Sequence, residues 1–181
     1  MPLEYKFSNF QMQSECDLSI KNYYLIAFGL SFIYTLLLFP MDFIIGNSGF
    51  WFNTTTDPTQ HVTGMWAFVH DQWHFPLLYT KLLNYPEGVS AAFTDSIPIA
   101  AIPFKLISSW LPPGSHYFGI WVLSCYIMQG LAGAYCATIL NGYKLNGAVI
   151  GALFAVMMPS LMIRIPHAAL LAQFVLLFEL G

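Results

Sequence analysis

Charge is what this sequence of 181 residues has least of. Lys and Arg number 6 and Asp and Glu 9, so that 8% of the chain is charged while 57% is hydrophobic and 17% aromatic. Soluble domains carry roughly 25% charged residues. A chain this poor in charge cannot cover its own surface in water, so lipid is the solvent it suits. No run of Lys or Arg occurs, which excludes the clustered basic footprint of a nucleic-acid binder. Cysteine is scarce too: Cys16, Cys125 and Cys136 show no CxxC or metal-ligand spacing and read as small apolar side chains. A basic start is also missing. Residues 1–22 are mixed polar, with Glu4, Lys6, Glu15, Asp17 and Lys21 ahead of the first apolar run. That is unlike a cleavable signal peptide, so the first span is expected to stay as an anchor.

What is present is a series of apolar runs. Residues 23–45 are long enough as a helix, about 34 Å, to cross the hydrocarbon core, with Pro40 and Asp42 at the far end. Residues 117–140 form the second expected span, with Gln129 its strongly polar side chain, and 145–163 the third, ending in Pro159 ahead of Arg164. Residues 168–181 read as the start of a fourth. That run stops after 14 residues, short of the ~20 that a span needs, as expected of the front part of a longer chain. Small residues at i, i+4 (Gly130/Ala134, Gly133/Ala137, Gly147/Gly151/Ala155) suit close approach of helices in lipid.

Residues 96–111 are apolar but short, and they hold Pro98, Pro103, Lys105 and serines. A helix lying in the interface fits better than a crossing one, with Trp110 at headgroup level. The expected order is then a cytoplasmic segment 1–22, span 23–45, an external loop 46–116 with interfacial helices at about 58–70 and 96–111, and span 117–140. A cytoplasmic loop 141–144, span 145–163, an external turn 164–167 and the run 168–181 follow. Lys21 and Lys144 fall inside on this reading, as the positive-inside tendency prefers. The fold class is an all-α membrane protein.

The ionisable groups gather between Gly46 and Asp95. Asp57-Pro58-Thr59-Gln60 reads as a helix start, with Asp57 the N-cap and Gln60 completing a capping box. Val62, Met65, Trp66 and Val69 continue it as an apolar stripe. Capping alone accounts for Asp57, yet a carboxylate at a helix start is also well placed for chemistry. His61, one turn on, could reach the same ligand. His70 and His74 have the i, i+4 spacing of two zinc ligands, but the HExxH order is absent and Pro76 follows closely, so loop packing explains them better. Asp95 reads either as the N-cap of the next helix or as a second carboxylate in the same pocket. Asp57 and Asp95 together could then bind a sugar hydroxyl or a divalent cation such as Mg or Mn. Arg164 and His167 read as snorkelling cations or as a phosphate clamp, which Gln173 could extend.

The ordered set resembles the membrane glycosyltransferases of the GT-C superfamily, in particular bacterial multi-span members. The matching pieces are a span, Asp57-Pro58-Thr59-Gln60-His61 with Gly64-Met65-Trp66-Ala67-Phe68, and Trp73-His74-Phe75-Pro76-Leu77. Asn84-Tyr85-Pro86-Glu87-Gly88, Thr94-Asp95-Ser96-Ile97-Pro98 and the turn from Pro159 to His167 complete the set, over about residues 22–181. The resemblance implies a sugar transferred from a polyprenyl-phosphate donor to an acceptor outside the bacterial inner membrane. Asp57 would be the general base, with His61 and Asp95 beside it, and Arg164 a contact to the lipid phosphate. The partners implied are membrane lipid, the donor and the remainder of the chain. Two other readings stand beside it: a noncatalytic membrane fragment, and a transporter or lipid-binding module. The latter is expected to show ionisable residues in mid-span and internal repeats.

Overall fold

A computed structural model describes residues 3–141 and 144–180, with side chains over 21–140 and 144–179. The side chain of Cys16, residues Gly142 and Tyr143 of the expected cytoplasmic loop, and Gly181 lie outside the described residues. Among the described residues the structure is mainly helical, with one short ribbon. Its helices are α1 (Leu3–Leu38), α2 (Met41–Ile44), α3 (Asp57–His70), α4 (Pro98–Ile107), α5 (Phe118–Asn141), α6 (Leu145–Val156), α7 (Pro159–Ile163) and α8 (Phe174–Leu180). Strands β1 (Tyr79–Thr80) and β2 (Val89–Ser90) pair antiparallel, Tyr79 against Ser90. Three stretches, Lys21–Leu38, Phe118–Leu140 and Leu145–Ile163, are long and apolar enough to cross a membrane, which marks a membrane protein.

The expected boundaries change where proline stands. The first helix starts at Leu3 and ends at Leu38, not at 45. Pro40 is extended (φ -65°, ψ 153°), and the residue before a proline is pushed out of the α region, so the helix stops and α2 restarts it. The third apolar run breaks after Val156 and resumes at Pro159 for the same reason. The run from 168 does not begin as an α-helix. Ala168–Leu171 form a 3-10 turn, whose first carbonyl accepts from the Trp121 indole at 2.9 Å, and α8 starts only at Phe174. The helices at 57–70 and 98–107 lie where expected, and the second is continued by a 3-10 turn, Ser108–Trp110.

The chain divides into two compact units. The first comprises residues 1–35, 126–158 and 173–181. Its core is built from small residues: Ala27, Ala134, Ala148 and Ala152, flanked by Tyr23, Tyr24 and Leu131. A Cβ on Gly133 would meet the Gly151 carbonyl, and one on Gly151 the Gly133 carbonyl, so α5 and α6 cross with their backbones touching.

The second unit comprises residues 36–125 and 159–172. Its core is aromatic and aliphatic, with Trp51, Val62, Met65, Phe68, Phe118, Leu161 and Leu171 buried. The Trp51 indole donates to the Phe43 carbonyl at 2.9 Å, which ties the 3-10 turn Gly49–Phe52 to α2. His116 sits over Gly46 and donates Nε2–H to its carbonyl at 2.9 Å. Gly46 has φ +87°, and a Cβ there would lie 2.7 Å from the His116 ring, so both conformation and space call for glycine.

Candidate functional site: an acid–histidine cluster beside a threonine-lined cleft

Helix α3 buries Pro58, His61, Val62, Met65 and Phe68, which turns Asp57, Gln60 and Thr63 outward. These outward residues line an open cleft of about 460 Å³, together with Thr54, Thr55, Thr56, Thr59, Gly64, Leu83 and Thr94. Asn53 shapes the threonine turn: its side-chain carbonyl accepts from Thr55 N (3.1 Å) and Thr55 Oγ1 (2.7 Å). Its backbone carbonyl accepts from Thr56 Oγ1 (3.0 Å) and Thr59 Oγ1 (2.6 Å). Six threonines, one acid and one amide therefore face a single cleft, and no cation lines it.

The caps differ from expectation. Thr56, not Asp57, is the N-cap of α3, and Asp57 lies inside the first turn. Its carboxylate meets His167, Nε2 to Oδ2 at 3.4 Å, with both side chains about half exposed. Asp95 does not cap α4 either, since Ile97 holds that position. Asp95 ends the 3-10 turn Ala91–Thr94 in the left-handed region, φ 54°, with its carboxylate 3.9 Å from His61 Nδ1. Neither acid is occupied with helix capping, which is the bland role their sequence context offers.

His61 is buried and does not line the cleft, against the expectation that it reaches a ligand. Its Nδ1 lies 3.2 Å from the Thr94 carbonyl and its Nε2 3.1 Å from the Pro166 carbonyl. Its ring centroid is 6.5 Å from that of His167. Gly64 makes this closeness available. A Cβ at Gly64 would overlap the Thr94 side chain, so only glycine lets the 91–95 turn lie directly on α3. Asp57, His61, Asp95 and His167 thus converge on one patch of the second unit. Arg164 is exposed and forms no ion pair with a described residue; its backbone carbonyl accepts from His167 N at 2.9 Å. Gln173 belongs to the first unit.

The remaining histidines do not form a zinc site. Helix α3 ends at His70 and Asp71 is extended, so His70 and His74 share no helix face. Among the described residues no group of three or more His, Cys, Asp or Glu is set to hold a metal ion, and Asp57 and Asp95 each face a histidine.

A second polar centre was not legible in the sequence. The Asp71 carboxylate accepts from Gln72 N, Lys81 N and Thr80 Oγ1 (2.7, 2.6 and 2.8 Å) and pairs with His74 at 3.2 Å. Burial pushes this carboxyl up, but the hydrogen bonds outweigh it and hold it well below the usual range. Lys105 on α4 is buried, with Nζ donating to the Phe68 and Gln72 carbonyls (2.7 and 3.2 Å) and lying over the Phe68 and Trp73 rings (4.2 and 4.5 Å to the centroids). Burial lowers its pKa, against the pull of Asp71. Burial likewise lowers that of His116, against its bond to the Gly46 carbonyl.

No curated protein and no solved structure matches the chain. Residues 28–181, which include every element of the second unit, match the family described as a domain of unknown function (DUF6311), and the chain belongs to that family.

Proposed function

We propose that this protein belongs to an integral-membrane glycosyltransferase of the GT-C type, moving a sugar from a polyprenyl-phosphate donor to an acceptor hydroxyl outside the bacterial inner membrane. The observation that carries the reading is the setting of Asp57. Its carboxylate is half exposed, free of helix capping, and stands at a cleft lined with threonine hydroxyls. Hydroxyl and amide groups without a cation suit an uncharged, polyhydroxylated ligand, since each can both donate and accept. The hydroxyls of Thr54 and Thr63 bond to no described residue and are available to such a ligand.

In the proposed step Asp57 accepts the proton of the acceptor hydroxyl as that oxygen attacks C1 of the sugar. The bond from C1 to the phosphate oxygen breaks on the opposite face, and the electron pair leaves with the lipid phosphate. The product is inverted at C1. Arg164 and His167, three residues apart on one turn, are the groups for the leaving phosphate. No step requires a metal ion.

The test is sugar transfer by the protein in lipid nanodiscs, supplied with a panel of polyprenyl-phosphate sugars and membrane-derived acceptors. Asp57→Asn should lower transfer by about 10²- to 10⁴-fold at unchanged expression, the usual contribution of a positioned base. Full transfer by that variant would sink the assignment of Asp57, and no transfer by the wild type with any donor would sink the reaction class.

A further inference from the structure

The His61 ring has an acceptor on each side and no donor. Nδ1 faces the Thr94 carbonyl at 3.2 Å and Nε2 the Pro166 carbonyl at 3.1 Å. A carbonyl oxygen only accepts, and a neutral imidazole carries a single N–H. In that form one nitrogen would set its lone pair against a carbonyl inside a buried site, leaving both atoms unsatisfied. The surroundings supply a countercharge: the Asp95 carboxylate lies 3.9 Å from Nδ1. The other titratable group facing the ring is His167, at 6.5 Å between centroids, and α5 contributes only the uncharged ring of Phe118 at 6.1 Å.

We propose that His61 is an imidazolium clamp, donating from both nitrogens and joining the Thr94 and Pro166 segments to α3. The residues next to its two acceptors are Asp95 and His167. One ring therefore sets the position of both: Asp95 beside itself, and His167 against Asp57 at 3.4 Å. A ring protonated on both nitrogens has no lone pair with which to take a proton, so His61 is a positioning residue rather than the base. Gly64, three residues on along α3, is part of the device, because a side chain there would push Thr94 off the clamp. The protonation state does not depend on the transferase reading; the use made of His167 beside Asp57 rests on it.

The test is ¹⁵N NMR of the full chain in nanodiscs, labelled at histidine, at neutral pH. The other four histidines, His70, His74, His116 and His167, are substituted one at a time for assignment, so the wild-type measurement needs no His61 variant to fold. His61 should show two N–H-type nitrogens and no pyridine-type nitrogen; one pyridine-type resonance on His61 overturns the clamp. In His61→Gln, whose single amide cannot span both carbonyls, the His167 nitrogens should shift in the same sense as in Asp57→Asn. An unmoved His167 in folded His61→Gln overturns the positioning role. Neither readout uses sugar transfer, so a failure here is distinct from a failure of the proposed reaction.

Discussion

His167 Nε2 lies 3.4 Å from Asp57 Oδ2, which joins the turn after α7 to the first turn of α3. Both side chains are about half exposed, at 48% and 52%. Pairs so open to solvent contribute only about 0–1 kcal/mol to stability. His167→Ala should therefore leave the thermal unfolding midpoint within a few degrees of wild type. If the pair serves chemistry, the same variant lowers sugar transfer by about 10²-fold. Equal losses of stability and transfer would instead assign the pair to structure.

Gly64→Ala tests the contact of α3 with the 91–95 turn. At an exposed helix position this change stabilises by about 0.5–1 kcal/mol, because alanine has less backbone freedom to lose. Here the new Cβ would overlap Thr94 Oγ1 and Cβ and lie 2.8 Å from its Cγ2. Overpacking of this kind costs about 1–3 kcal/mol, so the sign should reverse to a net loss of about 1–2 kcal/mol. Chemical unfolding of the variant in micelles measures it, and a stabilised variant would refute the close approach.

Asp71 gives a pH dependence. Its folded pKa lies well below the ordinary 3.8, so its contribution is fully present above that value and is lost as pH falls through the folded one. The 71–82 loop of the wild type should keep its order, followed by Trp73 fluorescence, below the pH at which free carboxylates protonate. Asp71→Asn replaces one accepting oxygen by a donor that faces donors. It should cost about 1–3 kcal/mol at neutral pH and remove this acid-sensitive component. An unchanged acid profile in the variant would show that other groups set it.

In the first unit, Gly133→Ala places a methyl against the Gly151 carbonyl and the Ala155 side chain. Both neighbours are backbone or minimal side chain, so no flexible group can yield. A loss of about 1–3 kcal/mol is expected in a denaturant titration in micelles, whereas Ala137→Gly at the neighbouring small position should cost only the roughly 0.5–1 kcal/mol that glycine loses to alanine in a helix.

The helices were legible because their signals are local. Pro58 just inside α3 and the stripe Val62, Met65, Trp66 and Val69 mark that element, although the fold buries Phe68 in place of Trp66 and Val69, and Pro98 marks α4. The spans were legible as apolar stretches, but their ends were not, because hydropathy runs through Phe39 and Met158 while the proline that follows each breaks the ladder. The site was half legible. The sequence brings Asp57 and His61 together through helical spacing alone. It holds no sign that His167 reaches Asp57 or that Pro166 accepts from His61, since both contacts join segments far apart in the chain. The cleft had an available signal that local reading passed over: Thr56, Thr59 and Thr63 recur at helical spacing beside Asp57 and Gln60.

Lys105 alters what α4 shows to its surroundings. In the sequence it is the one charged residue between Pro98 and Ile107, the feature that argues for a helix kept at the water boundary. In the fold its ammonium is turned inward onto two carbonyls and two rings, while Ile99, Leu106, Ile107 and Trp110 are exposed. Polarity counted along a sequence and polarity displayed at a surface are different quantities, and here they have opposite signs. The residue that makes α4 look amphipathic serves to glue it down, and the outer face is as bare of charge as a spanning helix.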